Sequence, residues 1–239
     1  MRLDKFLANS LGISRSQIKE QLKKRNVMVD GEIITDGSVQ VTEGKSEVCY
    51  MGNPVLYEKY VYYMFHKPAG CVTARTDKEH QTVFDYTKDI PCKDLFAVGR
   101  LDKDTEGLLL LTNDGAFDHA LMSPKRHVDK TYYFETTGNL NEEKISLLEN
   151  GVSIGKDEPL TRPAKVTDVV NYDNDTVTGL LTITEGRFHQ VKRMLSAVDC
   201  EVTYLKRIAI GQVALDKELA PGNYRALTED EKNKLEFKR

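Results

Sequence analysis

Residues 99–107 spell Gly-Arg-Leu-Asp-Lys-Asp-Thr-Glu-Gly and lead directly into four leucines at 108–111, which end at Asn113-Asp114-Gly115. An apolar run of this length between glycine and turn residues is typical of a strand buried on both faces, although the pattern also fits a short buried helix. We therefore expect an acidic turn that leads into the core, with Asp102 at the edge of the core. A carboxylate held there by rigid backbone, beside Arg100, can be directed at a ligand. Considered alone, however, an aspartate in a turn usually faces solvent or caps a helix.

The length and hydropathy of the chain bound its class. Its 239 residues suffice for one large domain, or for a small and a medium-sized one, with a sizeable core. No apolar segment approaches the ~18 residues that span a bilayer, and the amino terminus lacks the apolar region of a signal peptide. These features predict a globular protein of the cytoplasm with no membrane association.

The cysteines and histidines are spaced unlike metal ligands. The four cysteines lie far apart and form no C-x-x-C pair, which predicts reduced thiols. The five histidines show neither H-x-x-x-H nor H-E-x-x-H spacing. We therefore expect no metal site, and a metal hydrolase is disfavoured.

The charge of the chain is unevenly distributed. The net charge of -3 and the pI near 6.0 argue weakly against a nucleic-acid partner. Residues 1–30, however, contain seven lysines or arginines against three aspartates or glutamates. A positive module on a neutral or acidic body can contact phosphates locally while the whole protein stays soluble.

The amino-terminal part of the chain predicts two short helices and a hairpin. Apolar residues recur at helical spacing from Leu3 to Leu11, and Gly12 ends that helix. Ser14, with Gln17 three residues later, matches the capping box that opens a second helix. Residues 27–34 then place strand formers on either side of an Asp-Gly turn.

Basic residues of this part form a candidate phosphate-binding face. Arg15, Lys19 and Lys23 are four residues apart, so they share one face of the second helix and can reach successive phosphates. Arg2 and Lys5 add positive charge at the start of the first helix. A basic helix face is also often no more than a solvated surface.

Two helices followed by a hairpin resemble the RNA-binding module first seen in ribosomal protein S-four. The resemblance is clearest at residues 2–7, Arg-Leu-Asp-Lys-Phe-Leu, and at Val29-Asp30-Gly31. It implies RNA binding by a domain at residues 1–48 but no particular chemistry. The turn-rich stretch 49–60 predicts a linker, and the β-prone run that begins at Val61 predicts a second domain over residues 61–239.

Residues 99–107 themselves resemble the signature of the pseudouridine synthases of the RsuA type, which modify uridines in ribosomal RNA. The resemblance implies that Asp102 is the essential catalytic residue and that Arg100 helps to expel or hold the flipped base. Residues 66–70, His-Lys-Pro-Ala-Gly, are similar to the Asn-Lys-Pro-x-Gly turn that opens the catalytic domain of this family. His66 replaces the usual asparagine, and we expect it to be mainly structural.

A second motif of the family is similar to Lys130-Thr131-Tyr132, which follows a basic loop at 123–127. By composition alone, a tyrosine on a strand is more often a core residue. The resemblance implies instead that Tyr132 stacks on the target base, for which a flat ring with a polar tip is suited.

A third motif matches residues 185–194, Glu-Gly-Arg-Phe-His-Gln-Val-Lys-Arg-Met, where a strand passes through a glycine turn into a helix. The resemblance implies that Lys192 pairs with the catalytic aspartate and that Ile183 packs against the base. A nearby cation would keep the carboxylate charged when a flipped nucleotide excludes water. Many relatives have arginine in place of Lys192, so Arg193 is the alternative partner. The further candidate substrate contacts of this motif are Arg187 and His189, near the glycine turn, and Arg193.

The resemblances together imply an α+β protein: a small helix-helix-hairpin RNA-binding domain, and a catalytic domain with a mixed, largely antiparallel sheet and a central active-site cleft. They imply an isomerase without a cofactor that converts a uridine of small-subunit (16S) ribosomal RNA to pseudouridine. A synthase for large-subunit (23S) RNA and a non-catalytic assembly factor are the alternatives. We expect a monomer whose partner is ribosomal RNA or a ribosomal assembly intermediate. The aspartate could attack C1′ or C6, or deprotonate the sugar.

Overall fold

A computed structural model describes residues 1–42, 44–55, 59–92, 94–123 and 126–235 of the chain. The chain groups into two compact units, the first formed by Met1–Val61 with Thr87–Phe96 and the second by Tyr62–Tyr86 with Ala97–Arg239. Among the described residues, no helix combines the length and the apolar character that crossing a membrane requires.

The first unit contains the two predicted helices and the hairpin, which the structure confirms. Gly12 ends the first helix in the left-handed conformation, at φ +66°, which glycine adopts without strain. Ser14 and Gln17 form the capping box of the second helix. The elements are α1 (Leu3–Leu11), α2 (Arg15–Lys23), β1 (Val27–Val29), β2 (Glu32–Ile33), β3 (Val48–Tyr50) and β4 (Asn53–Pro54).

Residues 49–54 differ from the predicted linker, because they lie in the sheet of the first unit. The strand order of this sheet is β2-β1-β3-β4, and Tyr50 pairs with Asn53 across the turn. The turn residues Met51 and Gly52 both have positive φ, as in the two-residue turns that join antiparallel strands. Val48 is buried in the core of the unit, which anchors β3. The turn-forming residues thus close a hairpin, and residues 56–58 of the predicted linker lie outside the described residues.

The candidate phosphate-binding residues of the first unit are exposed: Arg2, Lys5, Arg15, Lys19 and Lys23. The three on α2 lie on a face that contains neither of the buried residues Ile18 and Leu22. Arg2 also donates hydrogen bonds to Asp4, with Nη2 and Oδ2 2.9 Å apart, and this holds the pKa of the Asp4 carboxyl below its usual value.

The second unit is built around a nine-stranded sheet of described residues. The strand order is β13-β5-β7-β11-β8-β10-β9, while β12 pairs with β11 and β6 with β7. The contact between β7 and β11 is parallel, and the other pairings along the strand order are antiparallel, which confirms the predicted mixed, largely antiparallel sheet. The strands are β5 (Tyr62–Lys67), β6 (Phe96–Val98), β7 (Glu106–Thr112), β8 (Lys130–Thr137), β9 (Lys165–Asn171), β10 (Thr176–Ile183), β11 (Glu201–Ile210), β12 (Val213–Ala214) and β13 (Tyr224–Ala226). The helices are α3 (Gly115–Met122), α4 (Glu142–Asn150), α5 (Gln190–Ser196) and α6 (Glu229–Lys234), and a short 3-10 helix covers Val83–Tyr86.

The four leucines 108–111 form the buried strand that their pattern favours over a helix. All four are buried, so β7 is covered on both faces. Leu108 and Leu110 belong to a core cluster with Phe117 of α3. Asp114, after the strand, caps α3 by accepting hydrogen bonds from the backbone of that helix. The segment from 99 to 115 is therefore an acidic loop, a core strand and a capped helix in succession.

Among the described strands, the one parallel contact along the strand order joins β7 to β11, and within it Gly107 pairs with Arg207. Its φ is +106°, and a Cβ atom there would lie 2.2 Å from the carbonyl oxygen of Arg207. Glycine is thus required where the loop that carries Asp102 enters the sheet.

His66 lies inside β5 and not in the turn that follows it. Its ring is buried, and Nδ1 lies 2.6 Å from the carbonyl oxygen of Leu219, so this nitrogen is the donor. Burial lowers the pKa of His66, and the hydrogen bond to Leu219 opposes that effect only in part.

We expect His66→Asn to weaken the pH dependence of stability. Because the pKa of His66 is lower in the folded state than in the unfolded one, the unfolded chain binds more protons below about pH 6.5, and stability falls as the pH falls. This contribution is at most about 1.4 kcal/mol per pH unit. Urea unfolding of both proteins at pH 7.5 and 5.5 measures it. Equal losses of unfolding free energy in the two proteins would contradict the assignment, and His80→Asn, an exchange of a more exposed histidine, is the control.

Candidate active site

A cleft of about 640 Å³ in the second unit brings together the three segments that the sequence analysis singled out. Its walls come from the loop before β7, from the first residues of β8, from the turn between β10 and α5, and from β11. The predicted site residues that line it are Arg100, Asp102, Tyr132, Ile183, Arg187, His189 and Lys192. Part of the predicted basic loop, Pro124 and Lys125, lies outside the described residues.

The backbone that carries Asp102 is fixed by hydrogen bonds on both sides. Before it, Leu101 exchanges two bonds with the hydroxyl of Thr73, at 2.9 and 3.2 Å. After it, the amide of Thr105 donates to the carbonyl of Asp102 itself at 3.1 Å. The side chain of Asp102 stays 28% exposed, so a rigid loop presents this carboxylate to the cleft.

Lys67 also supports the loop that carries Asp102. Its side chain is fully buried, and its ammonium donates to the carbonyls of Pro68, Lys103 and Thr105 at 3.1, 3.2 and 2.8 Å. Burial lowers the pKa of Lys67, while nearby acidic groups, Asp102 among them, oppose the shift. From the sequence, this lysine was expected in a turn, with no part in the site. Its one signal was a lysine at the end of an apolar strand.

Two side chains from the third motif approach the carboxylate of Asp102. Lys192 Nζ lies 3.3 Å from one carboxylate oxygen, and His189 Nε2 lies 3.5 Å from the other. Lys192 is also shared with Asp104, whose Oδ1 is 2.5 Å from the same ammonium. Burial opposes ionisation of Asp104, but the hydrogen bond and charge of Lys192 outweigh it and lower the pKa of Asp104. A compact ammonium with three donors can bridge two carboxylates in this way.

Arg193 does not take the place of Lys192. Residues 192 and 193 of a helix point about 100° apart, and Arg193 donates to the carbonyls of Ile154 and Phe188 and pairs with Glu158. Helix geometry therefore assigns the contact with Asp102 to Lys192, and Arg193 holds neighbouring backbone.

Arg187 lines the cleft, but its guanidinium is largely used by the chain itself. It donates to the carbonyls of Pro159 and Leu160 at 2.6 and 2.9 Å, and it bonds to Glu185 at 3.3 Å. Together with Arg193, this side chain ties residues 154–160 to the turn before α5. The sequence motif gave no sign of the partners at 154–160, which are about 30 residues away.

Apolar side chains form the inner wall of the cleft. Tyr132 and Ile183 are both buried and lie on neighbouring strands, with Leu181 opposite Tyr132 in the register. Alternate residues of β8 and β10 face the interior, which places the phenol ring and the aliphatic side chain on the same face of the sheet. A flat pyrimidine would fit against such a wall.

Two buried cations lie deeper in the cleft. Lys130 donates to the carbonyl of Val128 at 3.0 Å, and burial, with the charge of Arg207 second, lowers the pKa of Lys130. Arg207 is 2% exposed and donates to the carbonyl of Leu108 at 2.7 Å, while its Nη2 has no hydrogen-bond partner among the described residues. No sequence motif pointed to Arg207, whereas the structure places it in the lining of the cleft.

Comparison with known proteins identifies the family. The model of the RNA pseudouridylate synthases matches residues 61–197, and that of the S4 domain matches residues 1–46. The chain belongs to the RNA pseudouridylate synthase family. A relative from Bacillus subtilis (strain 168), named as the uncharacterized RNA pseudouridine synthase YtzG, is 48% identical, with 97% of this chain and 96% of the relative covered. The ribosomal small subunit pseudouridine synthase A of Escherichia coli (strain K12) is 40% identical, with 97% and 98% covered.

A solved structure has the same fold. It is a crystal structure of a pseudouridylate synthase that is 37% identical, superposes with a TM-score of 0.67, and covers 98% of this chain and 99% of its own. Within the described ranges of our chain, no group of three or more His, Cys, Asp or Glu side chains could hold a metal ion.

We expect Lys67→Met to loosen the Asp102 loop. The change keeps most of the side-chain volume but removes the donors of three carbonyls, which should lower the free energy of unfolding by about 2 kcal/mol or more. A displacement of the carboxylate by about 1 Å should lower the rate of the reaction proposed below by about 100-fold.

Denaturant unfolding and single-turnover rates measure the two effects. Lys78→Met, which changes an exposed lysine of the same unit, should leave both unchanged. Wild-type rates in Lys67→Met would show that the loop does not need this ammonium.

Proposed function

We propose that the protein converts a uridine of small-subunit (16S) ribosomal RNA to pseudouridine. The observation that carries the proposal is the Asp102 carboxylate, held by rigid backbone 3.3 Å from Lys192 in the cleft that Tyr132 and Ile183 also line. Membership of the family supports the reaction. The Escherichia coli relative, named for the ribosomal small subunit, supports the substrate.

The reaction is an isomerisation that needs neither oxidant nor energy source. The bond between N1 and C1′ breaks, the uracil turns, a bond between C5 and C1′ forms, C5 loses its proton, and N1 gains one. Asp102 acts by attack on C1′ or on C6 or by deprotonation of the sugar, and each role requires an ionised carboxylate. Lys192 and His189 favour that charge once the bound nucleotide excludes water.

The remaining side chains of the cleft hold the nucleotide. Tyr132 stacks on the uracil, Ile183 packs against it, and Arg100, exposed at the cleft, contacts the flipped nucleotide or the strand that it left. Arg187 fixes the turn that carries His189, and Arg193 acts in the same way. Confinement also keeps the detached uracil beside the sugar, which makes the second bond formation effectively intramolecular.

The first unit binds the RNA. The exposed residues Arg15, Lys19 and Lys23 on one face of α2 carry this proposal, supported by Arg2 and Lys5 and by the match to the S4 domain. We also propose that the protein works in the cytoplasm. We propose a monomer because the side chains that the reaction uses, Asp102, Tyr132 and Lys192, all belong to one compact unit of the chain. For a monomer, light scattering should measure a mass of 27.1 kDa.

We expect Asp102→Asn to abolish the reaction without loss of RNA binding. The amide keeps the shape of the side chain but cannot act as a nucleophile or base, so the rate should fall by at least about 1,000-fold. The measurement is the release of tritium from a 16S transcript that carries uridine labelled at C5, alongside filter binding of the same RNA.

Asp173→Asn, an exposed aspartate in another loop, is the matched control and should react normally. Turnover by Asp102→Asn would refute the catalytic assignment. Reaction of the wild-type protein with a 23S transcript in place of the 16S one would change the substrate but not the chemistry.

We expect the triple exchange of Arg15, Lys19 and Lys23 to Gln to weaken RNA binding about tenfold or more. Each lost phosphate contact reduces the slope of log K against log salt concentration by about 0.7 to 0.9, so the slope should fall by about 2. Filter binding from 50 to 300 mM salt measures it. The control is the exchange to Gln of three exposed lysines of the second unit, Lys78, Lys165 and Lys217. An equal effect of both triple exchanges would show that overall charge, and not this helix face, binds the RNA.

A further inference from the structure

Phe188 is exposed to an extent that the fold does not require. The residue is 75% accessible, the highest value among the exposed large hydrophobic residues of the described chain. It is also the only one of that group that lines the cleft, since the others lie elsewhere: Ile33, Met51, Leu147, Leu160, Val170 and Tyr172. A large apolar side chain exposed at a binding cleft often marks a contact surface.

The backbone around Phe188 is fixed. Arg193 Nη1 donates to the carbonyl of Phe188 at 3.1 Å, and the side chain of Gln190 accepts from the amide of Arg187 at 2.9 Å. His189 adopts the left-handed conformation, at φ +48°, which is uncommon for a residue with a side chain. The phenyl ring is thus exposed on a well-held turn and not on a loose loop.

The ring of Phe188 is coupled to the catalytic carboxylate through its neighbour. It stacks on the imidazole of His189, with centroids 3.8 Å apart and planes 17° apart. The same imidazole lies 3.5 Å from Asp102. One face of the phenyl ring is therefore occupied by the histidine that also approaches the carboxylate, and the rest of the ring is open.

Basic side chains line the cleft together with Phe188. Lys192 and Arg187, which flank it in the motif, and Arg100 also line the cleft. A flat apolar ring among positive charges suits a nucleobase, which stacks through its π face while its phosphate meets the cations. Lys192 and Arg187 keep their acidic partners, so the exposed Arg100 is the cation offered to that phosphate.

We propose that Phe188 is a stacking platform for the nucleobase next to the target uridine in the RNA strand. The contact would hold the strand while the target nucleotide is extruded toward Asp102, and it would offset part of the cost of unstacking. This inference rests on the proposed function, which it deepens by assigning a second base-binding position.

The absence of tryptophan from the chain allows a direct test. We would place Phe188→Trp in the Asp102→Asn background, so that binding proceeds without turnover, and titrate it with a 16S transcript. Stacking should quench the indole emission by about twofold or more. Tyr172→Trp, at another exposed aromatic position, should change little under the same conditions. Unquenched emission at position 188 while filter binding shows a bound complex would overturn the proposal.

Activity provides the second test. Stacking of one base changes the binding affinity by about 5- to 150-fold. The kcat/KM of Phe188→Ala and of Phe188→Leu should therefore fall by this factor. Phe188→Tyr should keep most of the wild-type kcat/KM. Leucine keeps the apolar area without the flat face, so normal activity of Phe188→Leu would overturn stacking. Thermal unfolding should be unchanged in all three because the side chain is exposed. If wild-type protein released no tritium, the proposed function would fail by itself, whereas the fluorescence result does not depend on turnover.

Discussion

The buried ammonium of Lys67 is the contact on which the Asp102 loop depends. It binds carbonyl groups on both sides of Asp104 and thereby attaches the loop to the end of β5. Three carbonyl acceptors share one buried charge, and hydrogen bonds are stronger in a protein interior than in water, so these bonds fix the backbone around Asp102. The fixed backbone therefore presents the Asp102 side chain, which is 28% exposed, to the cleft.

Local patterns were sufficient to predict much of the fold. The capping box at Ser14, the glycine at position 12 and the apolar run at 108–111 each depend on a few consecutive residues, and the structure has each element as expected. The family follows from motifs of the same kind. The resemblance led to Asp102, Tyr132 and Lys192, and the structure brings these three into one cleft.

Long-range partners could not be predicted in this way. Arg187 and Arg193 were taken as substrate contacts because they are basic residues in a motif, yet most of their donors are satisfied by a segment about 30 residues away. Lys67 and Arg207 act through burial, which no local pattern indicates for a cation. The turn at Met51 and Gly52 shows the same limit, since turn residues suit a hairpin and a linker equally well.

The hydrogen bonds from Arg187 and Arg193 attach residues 154–160 to one wall of the cleft, although this segment contains no helix or strand. Surface loops usually accept insertions and exchanges between homologues. Here the carbonyl positions at 154, 159 and 160 are matched to two guanidinium groups, so any change in loop length would be transmitted to the turn that presents His189. A chimera with a related enzyme should therefore take residues 154–160 and the turn between β10 and α5 from the same parent.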